Sequence, residues 1–219
     1  MSARQDAVQS ILNELAWQGA FQISLKVHQG SIDALASDLL TDCARHAPAV
    51  GPGVTVLASH AQLRPNTLPG HYRNKTAIIY LVCMLEVFLK KVCTECLSLH
   101  NPPRMFGKLL CWPEVEHLMP GFGASDEVKR IHLVRLIRNA IVHHDGKVPP
   151  DFWNNPRRPQ DSANTVIGSW CQDQAEFRRY YQPGSNVWLH IDRVVLPAVF
   201  CGIEFAKYVD FRLRSLGIA

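Results

Sequence analysis

The chain has 219 residues, 47% of them hydrophobic, and a formal net charge of +4. That length and apolar content suit one globular domain with a full core. The mild positive charge permits an RNA partner without demanding one.

Seven cysteines, with Cys83, Cys93 and Cys96 inside one apolar stretch, do not read as a secreted disulfide framework. The opening MSARQDAVQS lacks a basic-then-apolar leader, and the longest apolar run, Ala77 to Leu85, is too short to span a bilayer. A soluble, reduced, cytoplasmic protein with no membrane partner is expected.

Taken in order, Gln5 to Trp17 places Val8, Ile11, Leu12 and Leu15 at helical spacing. Phe21, Ile23, Leu25 and Val27 then alternate with polar residues, the period of a strand, although a helix running through is the alternative. Ser31 opens a second amphipathic helix ending near His46. Residues 47–70 form a long Pro- and Gly-rich connection holding His60 and Arg64, with His71 just past it. Tyr72 to Leu99 is the most apolar helix, with a stripe of Ile78, Leu81, Val82, Leu85, Leu89 and Val92. Glu86 sits at the edge of that stripe. It pairs with Lys90 at i,i+4 or packs behind a functional site, with Arg138 as its partner. Cys93 and Cys96 form a lone CxxC with no second pair at matching spacing, so packing is the default and no metal is expected.

Asn101 to Gly123 is turn-rich, with a short helix around Met105 to Cys111; Trp112 and Phe122 are read as core aromatics. The next stretch, Ser125 to Val148, reads as a helix that stops at Asp145-Gly146, and an irregular segment with an exposed Arg157-Arg158 pair follows. Two β-prone runs, Thr165–Trp170 and Asn186–Ile191, suggest a small ribbon, with a helix through Asp173–Tyr181 equally open. A last long helix, about Asp192 to Leu216, has Val195, Val199, Ile203, Ala206 and Val209 on its inner face. Pro197 starts it proper or kinks it. The expected organisation is one all-α domain: residues 1–46 N-terminal helices, 47–70 a long loop, 71–148 the core bundle, and 149–219 an appendage, ribbon-like or irregular, with the C-terminal helix.

Chemistry concentrates in SDEVKRIHLVRLIRNAIVHHDGKV. Ser125 can cap the helix, Asp126 and Glu127 suit its positive end, and Asp145-Gly146 followed by Pro149-Pro150 stops it. Leu133, Leu136, Ile137, Ala140 and Ile141 form a core stripe. His132, Arg135, Asn139 and His143 share another side. Arg138 lies ~140° round from His143 on the wheel. A long guanidinium side chain, an unwound last turn, or a second copy of the chain could join them. His144 projects toward the core stripe and ranks below His143. Arg, Asn and His side chains suit a phosphate; the plainer reading is a solvated basic face.

Arg138-Asn139-Ala140-Ile141-Val142-His143, followed by Gly146, resembles the signature of HEPN-domain ribonucleases: Arg, four to six residues, then His, at the end of a helix in an all-α bundle. The resemblance is strongest over Tyr72 to Val148. It implies a HEPN-like bundle, an acidic residue at the place of Glu86, and paired protomers whose motifs share one cleft. A branch of this family silenced by adenylylation carries Tyr two residues after the His, where this chain has Asp145.

The implied activity is metal-independent RNA cleavage with no cofactor. RNA's own 2′-hydroxyl attacks the phosphorus, leaving a 2′,3′-cyclic phosphate and a 5′-hydroxyl. His143 moves protons, Arg138 stabilises phosphoryl charge, and Asn139 orients His143 or binds phosphate. Glu86, His144, Arg135 and His132 are supporting candidates. One motif supplies one imidazole, so a homodimer is expected, with Val142 and Ile131 at its seam. The resemblance further implies a toxin or antiviral-defence setting with an antitoxin or sensor protein as partner. The alternative function is a non-catalytic dimerising or nucleotide-binding module.

Overall fold

Helical periodicity in the sequence becomes helices in space. The computed structural model describes residues 2–27, 68–156, 163–166, 178, 181–185 and 192–218. They form α1 (Ala3–Val27), α2 (Leu68–Lys91), α3 (Phe106–Leu110), α4 (Pro113–Leu118), α5 (Asp126–His143), α6 (Ala163–Val166) and α7 (Asp192–Ser215). No strand occurs among the described residues, and that part of the fold is all-α. No described helix is long and apolar enough to cross a membrane.

α2 is the centre, packing against α1, α5 and α7. Its stripe of Ile78, Leu81, Val82, Leu85, Leu89 and Val92 is buried throughout. α1 lies on α7 through Val8, Ile11 and Leu15, and α7 answers with Val195, Val199, Phe205, Ala206 and Val209. Gly202 permits this close approach, because a Cβ there would stand 3.1 Å from Leu15. Phe205 meets Phe88 edge-on at 6.4 Å and Phe122 at 6.2 Å, and Phe122 stacks on Tyr208. These rings fasten the turn before α5 to α2 and α7. Arg130 adds an ion pair to Glu204 of α7 at 2.5 Å.

Several sequence expectations change. The alternating segment after Gly19 is helical, since α1 continues to Val27. The apolar helix starts at Leu68, earlier than Tyr72, and ends in a π-helical turn, Val92–Cys96. Cys93 in that turn is buried; burial first and the Cys96 thiol second push its pKa up to about 12. Such a thiol is a packing group. Trp112 and Phe122 are buried, as expected of core aromatics. α7 begins upstream of Pro197, which therefore does not start it. In place of the start of a ribbon strand, Thr165 and Val166 are helical in α6. The nearest thing to ribbon pairing is backbone exchange at Val148, whose N–H donates to Ser185 and whose carbonyl accepts from Gly184. The Ser31–His46 helix, His60, Arg64, Arg157-Arg158 and the Asn186–Ile191 run lie outside the described residues.

Candidate functional site

The motif helix is fixed at both ends by its own sequence. Ser125 has extended backbone, and its Oγ accepts from the Val128 N–H at 3.3 Å. Just upstream, the Glu116 carboxylate accepts from the Gly121 and Gly123 N–H groups at 2.6 and 2.9 Å, which shapes the entry turn. At the far end Asp145 and Gly146 adopt φ of 50° and 75°, and the Gly146 N–H donates to the Ala140 carbonyl at 3.0 Å. This left-handed reversal ends the helix, with the Ala140 carbonyl accepting from the His144 N–H as well. It leaves His143 as the last helical residue.

The core stripe is packed: Leu133, Ile137, Ala140 and Ile141 are buried, while Leu136 is partly open. Ile131 is also fully buried, so it cannot serve an intermolecular seam. Val142 is 43% exposed and remains available.

The polar side is not a uniformly solvated face. His132 and Arg135 are 5% and 8% exposed, and α3 packs against this part of α5 at Arg135. The Arg135 guanidinium lies over Gly107, where an added Cβ would come within 2.9 Å of it. Arg135 Nη2 stands 3.5 Å from His132 Nδ1. A guanidinium only donates, so the imidazole nitrogen is the acceptor in that long contact.

Beyond this ridge the helix end opens into two cavities. The first, about 370 Å³, is lined by Glu86, Arg104, Arg135, Arg138, Asn139 and His143 among others. It brings Arg138 and His143 to one space within a single chain, despite their separation on the wheel. Arg138 is half-buried. Its Nη1 donates to Asn139 Oδ1 at 3.1 Å, and its Nε is buried without a hydrogen-bond partner. Asn139 is thus engaged by its neighbour. His143 is exposed at the cavity mouth.

Glu86 enters this cavity, but its ion partner is Lys90, at 2.5 Å, and not Arg138. The two are one helical turn apart on α2, and that local pairing wins. Lys90 also donates to the Arg104 carbonyl at 3.2 Å, tying α2 to the loop that forms the opposite wall. Among the described residues, three arginines and one already paired carboxylate line the cavity and make it electropositive.

The second cavity, about 490 Å³, lies across Arg135 and Asn139 and takes in Lys108, His144, Asp151 and Asn155. His144 is therefore not turned to the core. It is the C-cap residue, with φ of −125°, and its side chain is exposed. The helical wheel misplaces it because it has left the helix.

Arg104, Gly107 and Lys108 escaped the sequence reading. They sit in a turn-rich stretch without periodicity, and only the fold brings that stretch against α5. Among the described residues no three His, Cys, Asp or Glu side chains are grouped as a bound cation would require. Compared with protein-family models, with curated proteins and with solved structures, the chain matches none.

Proposed function

We propose that this chain is a metal-independent endoribonuclease of HEPN-like architecture, acting as a homodimer in a toxin or antiviral-defence setting. The observation that carries the reading is the 370 Å³ cavity, in which Arg138, Asn139, His143, Arg104 and Arg135 surround one space at the end of a capped helix. Guanidinium groups there match the non-bridging oxygens of a phosphodiester, bidentate where geometry allows. The buried, unpartnered Arg138 Nε adds a donor with nothing yet to hold.

His143 supplies the proton chemistry. An imidazole can take or give a proton near neutrality. It takes the proton of the RNA 2′-hydroxyl as the oxygen attacks phosphorus, or it gives one to the departing 5′-oxygen. Arg138 meets the charge that builds on the phosphoryl oxygens between these events, and Arg104 and Arg135 help to bind the RNA. Among the described residues this cavity holds one imidazole. A second protomer facing the first brings another, and Val142, exposed beside the site, belongs at that seam. The donor set suits this chemistry better than a divalent ion, since among the described residues the cavity's single carboxylate is occupied by Lys90 and a hard cation wants several oxygens.

The test is cleavage of RNA by the purified full chain, with end mapping of the products. A 2′,3′-cyclic phosphate and a 5′-hydroxyl are expected, with matched DNA untouched. Activity should persist in excess EDTA. Arg138→Ala and His143→Ala should each lose roughly 100-fold or more, the usual worth of a positioned acid or base or of an oxyanion donor. Cleavage by either variant at the parental rate overturns the assignment. RNA binding without cleavage by the parent dimer would instead favour the non-catalytic module.

A further inference from the structure

The second cavity carries chemistry that phosphate binding alone does not use. At about 490 Å³ it falls in the ~300–1,000 Å³ range of small-ligand sites. It shares Met105, Gly107, Arg135 and Asn139 with the cavity of Arg138 and His143. A nucleotide whose phosphate is held in one can therefore extend its base into the other.

Asp151, an acidic residue, and Lys108, a basic residue of α3, both line this second space. Asn155 Nδ2 donates to Asp151 Oδ2 at 3.0 Å, which holds the carboxylate in place and leaves Oδ1 without a described partner. A surface built only to attract a polyanion gains nothing from a carboxylate. A carboxylate accepts hydrogen bonds and never donates them, so it selects a base edge rich in N–H groups. Guanine presents two such donors side by side, N1–H and N2–H, with the O6 acceptor next to them. Adenine and cytosine offer one amino group there. Uracil offers a single N–H flanked by two carbonyl oxygens, which a carboxylate repels.

We infer that this second cavity is a nucleobase subsite that selects guanine beside the phosphate held by Arg135 and Arg138. Asp151 reads the N1–H and N2–H edge and Lys108 reads O6. The inference deepens the ribonuclease reading and rests on it for the class of ligand, but its own test needs no catalysis. Both groups are open to solvent, so the discrimination sits at the lower end for a bidentate base contact, roughly five- to tenfold.

The experiment is calorimetric titration of the full chain with the 5′-monophosphates of guanosine, adenosine, cytidine and uridine, repeated with Asp151→Asn and His143→Ala. The guanosine nucleotide should bind tightest and the uridine nucleotide weakest, roughly five- to tenfold apart. Asp151→Asn should erase that ratio, and His143→Ala should preserve it. Removing a negative charge without base recognition would raise all four affinities together, so the ratio is the decisive readout. Four equal affinities, a ratio unmoved by Asp151→Asn, or no saturable binding of any nucleotide overturns the inference. Guanosine preference in a chain that never cleaves RNA leaves the subsite standing and ends the nuclease reading. Cleavage with no base preference does the reverse.

Discussion

The two halves of α5 share one backbone and differ in almost everything else. From Val128 to Ile137 the helix is walled in, with Ile131, Leu133, Val134 and Ile137 fully buried and even His132 and Arg135 covered. From Arg138 to His144 it opens, and its polar groups line two cavities. The closed half is anchored through the Phe122–Phe205–Phe88 ring contacts and the Arg130–Glu204 pair. The open half is held by the buried Ala140 and Ile141 on its inner side and by the Gly146 stop. Rigidity is built upstream and spent on positioning side chains downstream, which is how an exposed imidazole can hold a fixed place.

This division can be broken from either side, and the largest effect lies at the open end. Arg138→Ala and His143→Ala should remove cleavage while leaving the melting temperature within a few degrees of the parent, because substitutions outside the core cost about 0.5 kcal/mol or less. At the closed end the sign reverses. Ile137→Ala deletes fully buried methyl groups and should cost about 2–5 kcal/mol of stability. The fraction that remains folded should cleave RNA at the parental specific rate. Chemical denaturation run beside the cleavage assay checks both. A core variant that loses specific activity as fully as His143→Ala would show that the halves are not separable.

How much of this was legible beforehand follows from range. Ser125, Asp145-Gly146 and the α2 stripe were readable because caps and periodicity act within a few residues. The Glu86–Lys90 pair was readable as one of two options for the same reason. The meeting of Arg138 with His143 was readable only as one of three options, because a wheel treats side chains as spokes of equal length. Arg138 is long, half-buried and steered by Asn139, and His143 is on the last turn. The burial of Ile131, His132 and Arg135 was hidden too, since what packs around them comes from other parts of the chain. His144 was misread because the wheel was extended one residue past the end of the helix.

The joint between the halves gives an intermediate effect. Gly107 sits against the Arg135 guanidinium, with 2.9 Å from a would-be Cβ to its central carbon. Arg135 has little room to retreat, being 8% exposed and already close to His132. Gly107→Ala should therefore move the guanidinium and weaken RNA binding roughly fivefold, the worth of one hydrogen bond at about 1 kcal/mol. The turnover rate at saturating RNA should stay near the parental value. A loss confined to turnover, with binding intact, would place Arg135 in the chemistry and not in the joint.

The smallest effect sharpens the comparison most, because it enters at the far end of the helix. Ser125→Ala removes the acceptor for the Val128 N–H and should cost about 1 kcal/mol of stability. About five turns separate that cap from His143. If the closed half is a rigid block, fraying at Ser125 stops at the buried Val128 and never reaches the cavities. Cleavage by Ser125→Ala should then equal the parent at any temperature below its own unfolding transition. Hydrogen exchange should quicken in the first turn of α5 alone. Faster exchange at Asn139 and Ala140 in this variant would mean that disorder travels the length of the helix, and the separation argued from burial would fail.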